Sequence, residues 1–170
     1  MKKGFMGGII LGIALLSTPV QASANSLSMS YVSSSEVPIE IQQYAELCGS
    51  EFNICPELLE SIAYQESRFI PTAKNGSCYG LMQVNMACHK DRIAKYGWTE
   101  ADMSDPYRNM MIASDYLHEL FEEYEDVGLV LLYYNGATNA IPEYKRSGKL
   151  SKYVNQILER SAEWERLHGK

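Results

Sequence analysis

Glu66 is the residue whose type and setting most plainly offer chemistry. It lies within CPELLESIAYQESRFIPTAKNGSCYGLMQ, Cys55 to Gln83. Leu58, Leu59, Ile62 and Ala63 recur at helical spacing. Four residues beyond Ile62, and three beyond Ala63, the same face carries Glu66, and Phe69 and Ile70 then resume the apolar theme. A carboxylate on the apolar side of a helix has to be paired, hydrogen-bonded or kept protonated. A carboxyl that keeps its proton at neutral pH is a general acid. A purely structural glutamate, satisfied by an Arg or a backbone N–H, has the same spacing, so spacing alone leaves the two readings even.

The residues around Glu66 separate them. Pro56 suits a first helical position, and Glu57 and Glu60 place negative charge in the first turns, where the helix dipole favours it. The helix has to end by Ile70-Pro71, because a residue before proline is pushed out of the helical region. Asn75-Gly76 marks a turn, and Gly80-Leu81-Met82-Gln83 closes the segment. Further on, Asp105-Pro106 and Asn109 open one helix and Tyr133-Tyr134-Asn135-Gly136 ends another.

Glu66-Ser67, a glycine-containing loop, Gly-Leu-Met-Gln and a later Tyr-Asn-Gly, in that order, resemble the signature of the lytic transglycosylases of the soluble-lysozyme-like type. Each block alone is weak; the ordered set, spanning about residues 54–153, is specific. The resemblance implies a lysozyme-like fold, peptidoglycan glycan strands as substrate, Glu66 as the one catalytic carboxyl, and no cofactor or metal. In that family the N-acetyl oxygen of the muramic sugar stabilises C1. The sugar's own 6-hydroxyl then attacks, giving a 1,6-anhydro end without water. The resemblance also implies cleft roles for Gln83 and Tyr134 as hydrogen-bonding groups near the acid, for Asn135 in positioning, for Met82 in the wall, and for Ser67 in holding the helix end. Tyr79 is placed to stack on a sugar face, and Tyr153 stands where a late family tyrosine lines the cleft. Asn75 stands where the family often has Ser, Tyr79 where it has Ala, and Tyr133 where Ala is usual. The Asn75 amide or Ser77 is then expected to serve the N-acetyl group.

Two other function classes fit parts of the same pattern. A hydrolytic muramidase of this fold, as among goose-type lysozymes, needs a base for water. Asp91, Glu100 and Asp105 are the nearest candidates, although Asp105 also reads as a helix cap and the other two as solvated surface. A non-catalytic wall-binding module would hold glycan without turnover, and the intact set of Glu66, Gln83, Tyr134 and Asn135 speaks against it.

The elements that must position these residues are helical. A first helix is expected from about Pro38 to Cys48, and the Glu66 helix follows. Short helical turns are expected near Asp91 to Lys95, with a loop at Gly97-Trp98. Asp105 as N-cap and Pro106 as first residue start a long helix with its apolar stripe at Met110, Met111, Tyr116, Leu117, Leu120, Phe121 and Tyr124. Val127 to Tyr134 is nearly apolar all round and is expected to be the buried central helix. A loop with Pro142 and Gly148 precedes a last amphipathic helix from Ser151 towards Trp164. No strand alternation is evident, so the fold class is all-α, or α with minimal β, in one domain with a substrate cleft beside Glu66.

At the N-terminus, Lys2 and Lys3, an apolar run from Met6 to Leu16, and Ala22-Ser23-Ala24 describe a cleavable secretory signal over residues 1–24. Ser-rich residues 25–36 read as a flexible leader, and residues 37–170 as the catalytic domain. Removing the signal from 170 residues leaves 146, with 13 basic against 21 acidic side chains, or about −8. That balance argues against nucleic acid as a partner, since neutralising phosphates needs clustered Lys and Arg. A secreted, wall-associated monomer without a membrane span after cleavage is expected. Cys48, Cys55, Cys78 and Cys88, in an exported chain, suggest two disulfides, with neighbour pairing one of three connectivities. The spacing suits no zinc site.

Overall fold

The computed structural model describes residues 37–170. The expected signal and leader, residues 1–24 and 25–36, lie outside the described residues. Local chemistry sets the helix starts. Helix α1 (Ile39–Phe52) leads into α2 (Pro56–Ser67), which has proline in its first turn. Helix α3 (Lys90–Lys95) and a 3-10 turn (Glu100–Ser104) come before α4 (Pro106–Tyr124), where the Asp105 carboxylate accepts from the Arg108 N–H at 2.9 Å. Asp126 caps α5 (Val127–Tyr134) by accepting from Leu129 N–H, and Ser151 caps α7 (Lys152–Leu167) by accepting from Val154 N–H. Each such cap satisfies an N–H that the helix itself leaves open, and is worth about 1 kcal/mol.

The chain is mostly helical with minimal β, as the hydrophobic spacing requires. Its sheet is three antiparallel two-residue strands, β1 (Lys74–Asn75), β2 (Cys78–Tyr79) and β3 (Val84–Asn85). Asn75 pairs with Cys78 across the Gly76-Ser77 turn, and Cys78 pairs in turn with Asn85. Strands this short carry no readable alternation, which is why the sequence hid them.

Two helices differ from expectation. Helix α1 runs one turn past Cys48 because Phe52 is buried, and Asn53 then ends it in the left-handed region at φ 54°. The segment expected as a loop around Pro142 is helix α6 (Ile141–Ser147); Pro142 stands in its first turn and Gly148 caps it at φ 69°.

Helix α5 is central, with Val130, Leu131 and Leu132 at most 1% exposed, and it packs against α4 and α7. Helix α2 is wedged between α1 and α7, burying Leu59, Ile62 and Ala63 completely. Each such Leu or Ile side chain contributes about 1.5–3 kcal/mol by leaving water. Glu57 and Glu60 stand in the first turns as expected, and packing buries both. They are 0% and 1% exposed, because α7 lies over the start of α2. Among the described residues, no helix is long and apolar enough to cross a membrane.

The expected disulfides are not formed: all four cysteines are free thiols in this structure. Cys48 points its thiol into the core, and burial pushes it up to about 12. Cys55 begins α2 and donates to Glu57 Oε2 at 3.1 Å. Packing and a polar contact have thus claimed two of the four thiols.

Candidate active site

Glu66 sits one residue from the C-terminal end of α2, half-buried against α7. Burial raises its carboxyl above the usual range, and a hydrogen bond donated by the Tyr153 hydroxyl to Oε1 partly opposes that. The two effects act on opposite forms: loss of water disfavours the carboxylate, while the phenol donor favours it. The tyrosine's own ionisation is pushed far up, first by burial and then by the Glu66 charge, so it acts as a donor.

The backbone beyond Glu66 turns sharply. Arg68 and Phe69 both take positive φ, 54° and 63°, which costs a non-glycine residue roughly 1–3 kcal/mol each. Packing holds them there. The Arg68 guanidinium lies 4.2 Å from the Tyr64 ring centre, and the Phe69 ring contacts Tyr64 and stacks on Trp164. Ser67 is buried, and its hydroxyl donates to Leu81 O at 2.7 Å and Ala63 O at 3.1 Å. It fastens the end of α2 to the Gly80–Gln83 segment, its one proton shared between two backbone carbonyls.

Asn109 of α4 pins the same segment. Its Oδ1 accepts from Met82 N–H at 2.8 Å, while Nδ2 donates to Tyr79 O and Met103 O. The side chain passes so close to Gly80 that a Cβ there would lie 2.2 Å from Nδ2, and Gly80 also takes φ +84°. Glycine is therefore required at this position on two grounds. The sequence pattern contained Asn109 only as part of a helix opening; two of its three hydrogen bonds reach a segment 27 and 30 residues away.

Around this frame the expected site residues divide. Tyr134, at the end of α5, donates its hydroxyl to Met82 O at 2.7 Å, and burial and then the Glu66 charge raise its ionisation well above the ordinary value. Gln83 takes φ 49° and donates through Nε2 to Ala73 O and Gly80 O. Gln83, Tyr134 and Asn135 meet in one cavity of about 150 Å³, together with Cys78, His89 and Tyr116. Tyr79 lines a wider depression of about 440 Å³ with Lys74, Gly76, Ser77 and Glu100. Asn75 is exposed on β1 beside that depression's rim. Met82, expected in the cleft wall, is completely buried in the core, and it is its backbone that serves the site.

The three carboxylates considered as a second catalytic group are spread apart. Asp105 is spent on its helix cap, Asp91 is exposed in the first turn of α3, and Glu100 opens on the outer depression. His89 and Tyr116 are cleft residues that spacing did not reveal; neither has a partner nearby in sequence to mark it.

Comparisons with known proteins bear on the family and the fold. The family model for the transglycosylase SLT domain matches residues 43–157. The chain is 35% identical over 118 residues to the invasion protein IagB of Salmonella typhimurium and of Salmonella typhi, covering 64% of this chain and 68% of theirs. In structure it is similar to the lytic transglycosylase Slt of Pseudomonas aeruginosa, solved as an inactive mutant, with a TM-score of 0.65 at 17% identity. That match covers 76% of this chain and 24% of the larger enzyme, so it bears on the fold alone.

Proposed function

The chain belongs to the transglycosylase SLT domain family, and on that premise we propose that it cleaves the β-1,4 bond between N-acetylmuramic acid and N-acetylglucosamine in peptidoglycan, without water. The observation that carries this reading is the setting of Glu66. Its carboxyl is half-buried, raised by burial, and held by the Tyr153 hydroxyl on a rigidly fastened helix end.

In this mechanism the protonated Glu66 gives its proton to the glycosidic oxygen as the C1–O bond breaks. The N-acetyl carbonyl of the same sugar stabilises the positive C1. The 6-hydroxyl oxygen then bonds to C1 and its proton returns to the Glu66 carboxylate, so acid and base are one group. Tyr153 serves both halves, since its hydrogen bond moderates the raised carboxyl and steadies the anion once the proton has left. Gln83, Tyr134 and Asn135 are the groups that would receive the sugar beside Glu66, with Tyr79 further out.

The protein is taken to act at the cell wall after export on residues 1–24. The test is mass spectrometry of purified peptidoglycan digested by the protein and, in parallel, by Glu66→Gln. Fragments ending in 1,6-anhydro-muramic acid, absent with the variant, are expected. Reducing ends with an added water would instead assign a hydrolytic muramidase, and binding without any soluble product would assign a wall-binding module.

A further inference from the structure

The cleft contains a titratable side chain for which the single-acid mechanism has no use. His89 follows β3 and lines the same cavity as Gln83, Tyr134 and Asn135. Its ring packs on Tyr116 at 4.6 Å between centres, and Tyr116 stacks on Tyr134 at 6.0 Å. The three rings make a row, with Tyr134 at the end whose ionisation the Glu66 charge raises. Among the described residues no group hydrogen-bonds either imidazole nitrogen, and neither nitrogen is sealed from solvent. An imidazole packed against a neighbouring ring, with its polar atoms uncommitted and lining a cavity, is preorganised for a ligand.

We infer that His89 is a substrate-binding residue of this cleft, taking an uncharged hydroxyl or acetamido group of an N-acetylhexosamine through its neutral imidazole. The inference rests on the glycan reading of the site. A neutral imidazole offers one donor and one acceptor, which matches a sugar hydroxyl or an acetamide. The charged groups that face it set its state. Burial lowers its ionisation below the ordinary value, Arg92 of α3 lowers it further, and Glu119 and Asp115 of α4 oppose this. Arg92 is itself paired, at 3.0 Å with Asp115 and at 2.5 Å with Glu119, and the net effect of burial and these charges holds the ring below its ordinary ionisation, which favours the neutral imidazole. A carboxylate ligand would favour the cation instead, and the sign of the titration separates the two.

The experiment is an NMR titration of the His89 ring in the Glu66→Gln protein, with and without tetra-N-acetylchitotetraose. His89→Ala and His89→Gln are followed in parallel on peptidoglycan, with thermal unfolding to confirm that both fold. Bound oligomer is expected to shift the ring signals and move its titration to lower pH. His89→Ala is expected to raise KM about tenfold with kcat nearly unchanged, the loss of one good hydrogen bond, and His89→Gln to recover most of it. Shifts at Gln83 and Asn135 without any at His89 would overturn the inference while leaving the function standing. A titration moved to higher pH, or an unchanged KM in a folded His89→Ala, would overturn it as well. No response anywhere in the cleft would remove the N-acetylhexosamine reading of the site, and this inference with it.

Discussion

The two ends of α2 both bury carboxyls, and the deeper burial is at the end away from the proposed acid. Near its start Glu57 and Glu60 are 0% and 1% exposed, whereas Glu66 at the other end is only half-buried. Glu57 is an anion held in place. Burial would raise it, but Lys170 at 2.7 Å, His168 at 2.8 Å and the Cys55 thiol bring it down to about 2. Glu60 is the opposite: burial first, then the charges of Glu57 and Glu46, push it up to about 8, and among the described residues its Oε2 has no hydrogen-bond partner. Glu66 shares the raised carboxyl of Glu60 but adds a phenol donor and neighbours that line an open cavity. Desolvation alone therefore does not identify an acid catalyst. A raised carboxyl is a candidate for that role where groups close to it also line space for a substrate.

The sharpest way to break this comparison is to replace the two raised carboxyls by amides. Glu66→Gln should lower kcat on peptidoglycan about 10²–10⁴-fold, the range for losing a general acid, with its unfolding midpoint unchanged. Glu60→Gln should leave kcat within about twofold. Equal loss of activity in both variants, each still folded, would erase the distinction between the two ends of the helix.

Next in size is Glu57→Gln, which strips Lys170 and His168 of their shared acceptor. We expect a loss of about 1–3 kcal/mol in denaturant unfolding, since charged hydrogen bonds of this kind are worth that much and Lys170 keeps partial access to water. Activity per folded molecule should persist. A fall in kcat without loss of stability would make the start of α2 part of the site.

The third contrast lies in pH. Glu60 is raised in the folded state, so its contribution is complete below the ordinary carboxyl value of 4.5 and is lost as pH rises through about 8. The protein should become less stable between those limits. Glu60→Gln should flatten that slope in thermal scans from pH 5 to 9, and an identical slope in both proteins would place the titrating group elsewhere.

The smallest effect concerns Tyr153. Its hydroxyl favours the Glu66 carboxylate, so Tyr153→Phe should let that carboxyl rise further. The alkaline limb of kcat/KM, where the acid loses its proton, should move to higher pH, with a rate change at the optimum within about tenfold. A limb moved to lower pH would mean that the phenol contributes to the raised carboxyl instead of opposing it.

Much of the architecture could be read from local pattern. Pro56, Asp105-Pro106, Asp126 and Ser151 mark helix starts by satisfying or dispensing with N–H groups, and such rules act within four residues. The apolar run Val127 to Tyr134 announced a central helix for the same reason. Helix α6 escaped because Pro142 reads equally as a loop or a first turn. The β-hairpin escaped because strands of two residues have no period.

The linear order of residues determined that Glu66 would share the apolar face of an amphipathic helix, and that Gly80, Gln83, Tyr134 and Asn135 belong to one family signature. Those facts are carried by types and spacings. Tertiary structure alone decided how deeply each carboxyl of α2 is buried and what holds it, that Met82 bonds through its backbone, that Asn109 clamps a segment far away in sequence, and that His89 lines the same cavity as Gln83 and Tyr134. Each of these depends on desolvation or on a hydrogen bond between segments tens of residues apart. Neither has a magnitude until packing brings the partners together and excludes water.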